Sequence, residues 1–88
     1  VREDFSFSKI RTNKNTIDVR GMRVHEAEII IEEKIRKFHG PLWIVHGIGT
    51  GKLKKGLRIW LSSLHYVDKV EDAATNEGGS GCSIAWIK

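Results

Sequence analysis

Two hydrophobic periodicities alternate along this chain, and their order predicts an α/β architecture. Ile17-Asp18-Val19-Arg20-Gly21 alternates apolar and charged residues and stops at a glycine, the pattern of a half-buried strand running into a turn. From Val24 onward the period lengthens. Ala27, Ile30, Ile31, Ile35 and Phe38 recur at helical spacing, with Glu26, Glu28, Glu32, Glu33, Arg36 and Lys37 in the remaining positions. This predicts an amphipathic helix that ends before Gly40 and Pro41. Leu42-Trp43-Ile44-Val45 is continuously apolar, as expected of a central strand flanked on both sides. Leu53, Leu57, Trp60, Leu61 and Leu64 trace one face of a second helix and direct Lys54, Lys55, Arg58 and Ser62 to solvent. Residues 67–74 predict a third strand and residues 75–81 a glycine-rich loop. In residues 82–87, Cys82, Ile84 and Trp86 alternate with Ser83, Ala85 and Ile87 as a fourth strand. Residues 1–16 are polar and basic apart from Phe5, Phe7 and Ile10, and predict a linker or extended arm.

The predicted order is β-α-β-α-β-β, with the folded domain covering residues 17–88. Right-handed crossovers place both helices on one face of a four-stranded mixed sheet, a two-layer sandwich whose other face is partly free. Parallel strands ending at Arg20 and His46 bring their carboxyl ends to one rim, where ligands of open α/β sheets bind. On this reading Asp18, Arg20, His46 and the loop through Lys52 share one crevice.

The loop His46-Gly47-Ile48-Gly49-Thr50-Gly51-Lys52-Leu53 joins the central strand to the second helix. Its alternate glycines permit positive φ and close approach of a ligand to the backbone. The helix that follows presents unpaired N–H groups and the positive end of its dipole, an arrangement that attracts phosphate. Two better-known phosphate loops are excluded. A P-loop would need glycine where His46 stands and a hydroxyl where Leu53 stands, and the dinucleotide fingerprint would need glycine in place of Lys52.

Eighty-eight residues allow one small domain. The longest apolar run is too short to span a membrane and the start does not resemble a signal peptide, so a cytoplasmic domain is expected. A first residue Val1 in place of methionine predicts a domain cut from a longer chain. Cys82 has no cysteine partner and alternates with core residues, which predicts a packed position. The net charge of +4 is moderate, but acidic residues are absent between Glu33 and Asp68 while Lys34, Arg36, Lys37, Lys52, Lys54, Lys55 and Arg58 lie there. Lys52, Lys54, Lys55 and Arg58 occupy the opening turns of a helix, where the dipole disfavours cations. A polyanion reverses that penalty, which favours a nucleic-acid partner over a merely solvated face.

The motifs resemble those of the Smr, or small MutS-related, domain, found alone and at the C-terminus of a bacterial and plastid class of MutS-like proteins. Residues 17–21 resemble the family's Leu-Asp-Leu-Arg/His-Gly signature, and residues 46–53 match its His-Gly-x-Gly-Thr-Gly-x-Leu signature. Gly78-Gly79-Ser80-Gly81 followed by Ser83 resembles its closing glycine turn. The resemblance implies a fold similar to the C-terminal domain of translation initiation factor 3. It also implies nicking of DNA or cleavage of RNA, as reported for several members. Ile17 and Val19 replace leucines conservatively, Arg20 is the variety attached to MutS-like proteins, and Ala85 stands where valine is usual.

Phosphodiester cleavage needs a positioned nucleophile, stabilised phosphoryl oxygens and help for the leaving oxygen. His46 is the candidate for proton exchange near neutral pH. Asp18 would orient it, act as base, or hold a divalent cation such as magnesium together with substrate phosphate. Arg20 and Lys52 would clamp phosphate, joined by Lys54, Lys55 and Arg58, while Gly47, Gly49, Thr50 and Gly51 would form the backbone cradle. Duller alternatives stand beside these roles: Asp18 neutralising Arg20 or capping the loop, and His46 bonding backbone to fix the turn. His25 is a weaker candidate for the rim, and His39 and His65 read as helix-end cations. The leading expectation is an endonuclease domain that nicks branched or duplex DNA, with RNA as a further substrate; the alternative is a module of a longer MutS-like ATPase that grips branched DNA, RNA or a ribosomal surface without catalysis.

Overall fold

The computed structural model describes residues 10–88. Phe5, Phe7 and most of the predicted arm lie outside the described residues. The elements are β1 (Thr16–Asp18), α1 (Val24–Ile35), β2 (Gly40–Val45), α2 (Lys52–Ser62), β3 (Val67–Asp72) and β4 (Cys82–Ile87). They form one four-stranded sheet in the order β1-β2-β4-β3. β1 is parallel to β2, while β4 runs antiparallel to both β2 and β3. Both β-α-β crossovers therefore step across the sheet in the same direction, and crossovers of one hand put both helices on one face. The expected two-layer sandwich is what the chain adopts.

Between sheet and helices lies the main core. Val19, Leu42, Ile44, Val67, Ala85 and Ile87 meet Ala27, Ile31 and Ile35 of α1 and Leu57 and Leu61 of α2. The other sheet face carries a second cluster of Trp43, Ala73, Cys82 and Ile84, with Val45 and Trp86 packed against it. Its indoles reach polar partners: Trp43 Nε1 donates to Glu77 (3.3 Å) and Trp86 Nε1 to Glu71 (2.7 Å). Burial pushes the Cys82 thiol pKa up, so Cys82 serves as a packed thiol.

Several boundaries differ from the sequence pattern: β1 ends at Asp18 and not at Arg20, and β3 stops at Asp72 and not at residue 74, where the chain leaves the ladder with β4. α1 ends at Ile35, before Phe38, because the Phe38 N–H bonds back to the Ile35 carbonyl (3.2 Å) and starts the reversal into β2. Phe38 keeps the helical phase only by packing against the same core from this turn. β2 opens at Gly40 and so includes Pro41. Val45 offers its carbonyl to Val19 (2.9 Å), so by alternation Pro41 faces the β1 side, where β1 pairs only from Trp43 onward and no ladder N–H is required. The predicted arm also reaches too far. Thr16 belongs to β1, residues 13–15 form one 3-10 turn, and Arg11 donates to the Glu77 carbonyl (2.8 Å) and to Thr16 Oγ1 (3.2 Å).

The two helices approach at Gly56, where an added Cβ would lie 2.8 Å from Val24 Cγ2. Alanine gains about 1 kcal/mol over glycine inside a helix, but overpacking costs about 1–3 kcal/mol. Gly56→Ala is therefore expected to destabilise the domain by about 1 kcal/mol in chemical denaturation, and to stabilise it when introduced beside Val24→Ala.

Candidate nucleic-acid interface

β1 delivers Asp18 and Arg20 to the rim with the fully buried Val19 between them. Asp18 Oδ1 accepts the Arg20 backbone N–H (3.0 Å), and its carboxylate takes both Nε and Nη2 of the same guanidinium, the latter at 2.7 Å. A short polar side chain bonding backbone two residues on is a local turn device, and Gly21 at φ 81° then completes the exit from the strand. These bonds from Arg20, with a smaller contribution from Arg11, hold the Asp18 carboxyl below its usual range. The pair remains in water, with side-chain exposures of 50% for Asp18 and 65% for Arg20.

His46 lies one residue beyond β2 and is only 6% exposed. Its Nδ1 is 2.8 Å from the Gly47 carbonyl, which can only accept, so Nδ1 carries the proton. Nε2, 2.9 Å from Ser83 Oγ, then accepts the Ser83 hydroxyl proton. Burial lowers the pKa of this imidazole, and the cations Lys54 and Arg58 push it in the same direction against the Gly47 carbonyl and Asp72. At neutral pH His46 is thus an uncharged ring with both nitrogens engaged.

The loop after His46 uses the expected backbone: Gly47, Gly49 and Gly51 sit at φ 80°, 37° and 82°. The Gly81 carbonyl accepts the N–H groups of His46 (3.1 Å) and Gly47 (2.9 Å), and Gly51 N–H closes a turn on the Ile48 carbonyl (3.1 Å). The Ile48, Gly49 and Thr50 N–H groups find no acceptor among the described residues. They border a concavity of about 220 Å³ lined also by Gly21, Met22, His46, Leu53 and Lys54.

The basic residues of α2 divide in two. Lys54 and Arg58 both bond Asp72 Oδ1 of β3 at 3.1 Å, contrary to the solvent-directed placement the helical pattern implies. Arg58 Nε is buried without a partner among the described residues. Lys52 and Lys55 are exposed.

The strand ends do meet at one rim, but their side chains leave it in different directions. Asp18 pairs in register with Val45, whose side chain packs on the second cluster. His46 turns to the helix side, where Ser83 pairs in register with Asp72, the partner of α2. Arg20 links the halves, since a Cβ at Gly47 would lie 3.5 Å from its Cγ. Asp18 and His46 therefore do not touch across one crevice; they flank the loop from opposite sheet faces. Among the described residues no three His, Cys, Asp or Glu gather as a metal cage. His25 is exposed at the start of α1, and His39 bonds the Lys88 carbonyl through Nδ1 (2.6 Å).

Ser83, Asp72 and Arg11 are participants that the sequence reading missed. Ser83 had a signal: it is in phase with the inward-facing Ala85 and Ile87, and a polar residue at such a position needs a buried partner. Asp72 and Arg11 had none, because their partners are set by tertiary packing.

Fold and rim together define a two-layer α/β domain whose chemistry gathers at a glycine-rich strand-to-helix loop on the carboxyl ends of its parallel strands. The chain belongs to the Smr domain family, which it matches over residues 17–88. It is 42% identical over 81 residues to Endonuclease MutS2 of Synechocystis sp. and 39% identical over 79 residues to Endonuclease MutS2 of Finegoldia magna. These alignments cover 90% and 85% of this chain but 10% of either relative. The crystal structure of the Smr domain of Thermus thermophilus MutS2 superposes with a TM-score of 0.78 at 28% identity, covering 84% of this chain and 98% of that one. YdaL, a stand-alone small MutS-related protein of Escherichia coli, shares the fold with a TM-score of 0.81 at 17% identity, over 92% of this chain and 70% of YdaL. No helix among the described residues is long and apolar enough to cross a membrane.

His46 binds fewer protons folded than unfolded at mildly acidic pH, so its contribution to stability is complete above its ordinary value of 6.5 and is lost as pH falls from there toward its lowered folded value. Asp18 and Asp72, with lowered carboxyl values, act only in a separate window below 3.8. Denaturant melts are expected to show stability falling between neutral and mildly acidic pH, with that slope removed in His46→Asn. An equal slope in the variant would assign it to other groups.

Proposed function

We propose that this domain is a nicking endonuclease module, directed by nucleic-acid structure and not by base sequence, within a longer MutS-like chain. The observation that carries the reading is the loop itself: backbone N–H groups without acceptors among the described residues border a concavity, with the Arg20 side chain against Gly47 and the exposed Lys52 next after Gly51. The printed names of the relatives, Endonuclease MutS2, point to the same chemistry. Phosphate entering the loop meets fixed dipoles and takes Arg20 as a bidentate clamp. That exchange leaves the Asp18 carboxylate ionised beside the scissile group, to orient an attacking water or to hold a magnesium ion shared with the phosphate. His46, neutral at pH 7, suits a proton acceptor or a positioning role and not a proton donor. Lys54 and Arg58, tied to Asp72, act on the phosphate chain at longer range. DNA is the expected substrate, with RNA as a second one, in the cytoplasm.

A second reading is favoured by one observation: both His46 nitrogens and both Asp18 oxygens are engaged within the fold. On that reading the domain binds branched DNA, RNA or a ribosomal surface without cutting it. Incubation with supercoiled plasmid, with and without EDTA, separates the two. The enzyme reading expects nicking that falls at least about 100-fold in Asp18→Asn while binding survives. Nicking unchanged in Asp18→Asn and His46→Ala would assign it to a contaminant and leave the binding reading. Lys52→Ala and Lys55→Ala are each expected to weaken binding and to reduce the steepness of its salt dependence by about one unit of log-log slope, measured by fluorescence anisotropy.

A further inference from the structure

The loop carries a side chain that phosphate binding does not use. Ile48 is 70% exposed, more than any other large hydrophobic residue among the described residues. An isolated exposed isoleucine on a helix surface needs no explanation, and Ile29 and Ile59 are such cases. Ile48 differs in three respects. It stands in a bend between two glycines at positive φ, where the chain has no packing reason to hold a β-branched residue. Its stem is propped, since a Cβ at Gly81 would lie 3.3 Å from Ile48 Cγ1 and the missing side chain there makes the seat. It also lines the concavity shared with His46, Thr50 and Lys54, and it follows Gly47, against which the Arg20 side chain lies.

We infer that Ile48 is an apolar wedge that enters the base stack of DNA whose phosphates are held by this loop. The inference rests on the reading of the loop as a phosphate site and names the side chain by which that site would favour branched over uninterrupted duplexes, at steps whose stacking is already broken. A wedge must separate stacked bases before it gains contact area, and that cost is least where a junction has opened the step. Phosphates held at the loop position the backbone so that the tip meets the bases, while no hydrogen-bonding group on Ile48 reads their identity. The geometry therefore couples structure-directed binding to one side chain.

The test compares wild type, Ile48→Ala and Ile48→Leu on a flapped duplex and on the matching uninterrupted duplex. Affinities are read by anisotropy, and stacking by the fluorescence of 2-aminopurine placed at the junction. Wild type and Ile48→Leu are expected to prefer the flap and to raise 2-aminopurine fluorescence. Ile48→Ala is expected to cut the flap-to-duplex affinity ratio about tenfold and to abolish the fluorescence rise. Thermal melting checks that the exposed substitution leaves the fold intact. Equal ratios and equal fluorescence in wild type and Ile48→Ala, with both DNAs still bound, overturn the wedge and leave the phosphate site standing. Failure of the wild-type domain to bind either DNA at low salt overturns the phosphate site itself.

Discussion

One carbonyl oxygen, that of Gly81, accepts the N–H groups of both His46 and Gly47 and so fixes where the central strand leaves the sheet. Everything at the rim follows from that fork. It spends the two N–H groups nearest the strand on the protein and leaves those of the succeeding bend for a ligand. It also sets β4 one step from β2, so that Ser83 reaches the His46 ring. A Cβ on Gly81 would lie 3.5 Å from the Gly47 carbonyl carbon and 3.3 Å from Ile48 Cγ1, so the backbone of the loop packs directly on this residue. The loop is therefore part of the sheet's own hydrogen bonding, and its geometry is as firm as the β2–β4 ladder beneath it.

The charges around this fork are arranged against the stability of the isolated fold. Lys52, Lys54 and Lys55 stand in the first turn and a half of α2 with no acidic residue in the first turn, which costs some tenths of a kcal/mol each through the dipole. Asp72 offsets part of this by pairing with Lys54 and Arg58, but half-exposed pairs return only about 0.2–1 kcal/mol. An anion at the loop would be attracted both by these lysines and by the dipole, and so would offset the repulsion between them.

What the sequence disclosed, and what it withheld, divides along the line between local and non-local causes. β4 was legible to its last residue because its alternation is a local signal, and the apolar helix faces were legible for the same reason, although Ile30 is exposed and Lys54 and Arg58 turn to Asp72. Phe38 misled because a residue in helical phase can reach the same core from a turn. The His46 loop was legible as a backbone device, since alternate glycines dictate it. The partners of its side chains were not: Ser83 is 37 residues away from His46, and Asp72 becomes a partner of α2 only through the β3–β4 register. The divergence of Asp18 and His46 was withheld for the same reason: it follows from the β1–β2 register, which sets Asp18 opposite Val45 with His46 the next residue on. Proximity of strand ends was readable there, and side-chain direction was left unread.

That divergence gives the two halves of the site different costs of rearrangement. Asp18 and Arg20 form an exposed pair, and water screens most of their attraction. A phosphate offering Arg20 a bidentate acceptor in a partly enclosed loop competes on equal or better terms, so the guanidinium can change partners at little expense and the carboxylate it leaves stays ionised in solvent. His46 is bound by the opposite arithmetic. It is nearly sealed from water, and withdrawing either nitrogen strands a buried Ser83 hydroxyl or the ring N–H itself, at about 1–3 kcal/mol for each group left unpaired. Rearrangement therefore costs less on the Asp18–Arg20 side. The His46–Ser83 side is the firmer of the two.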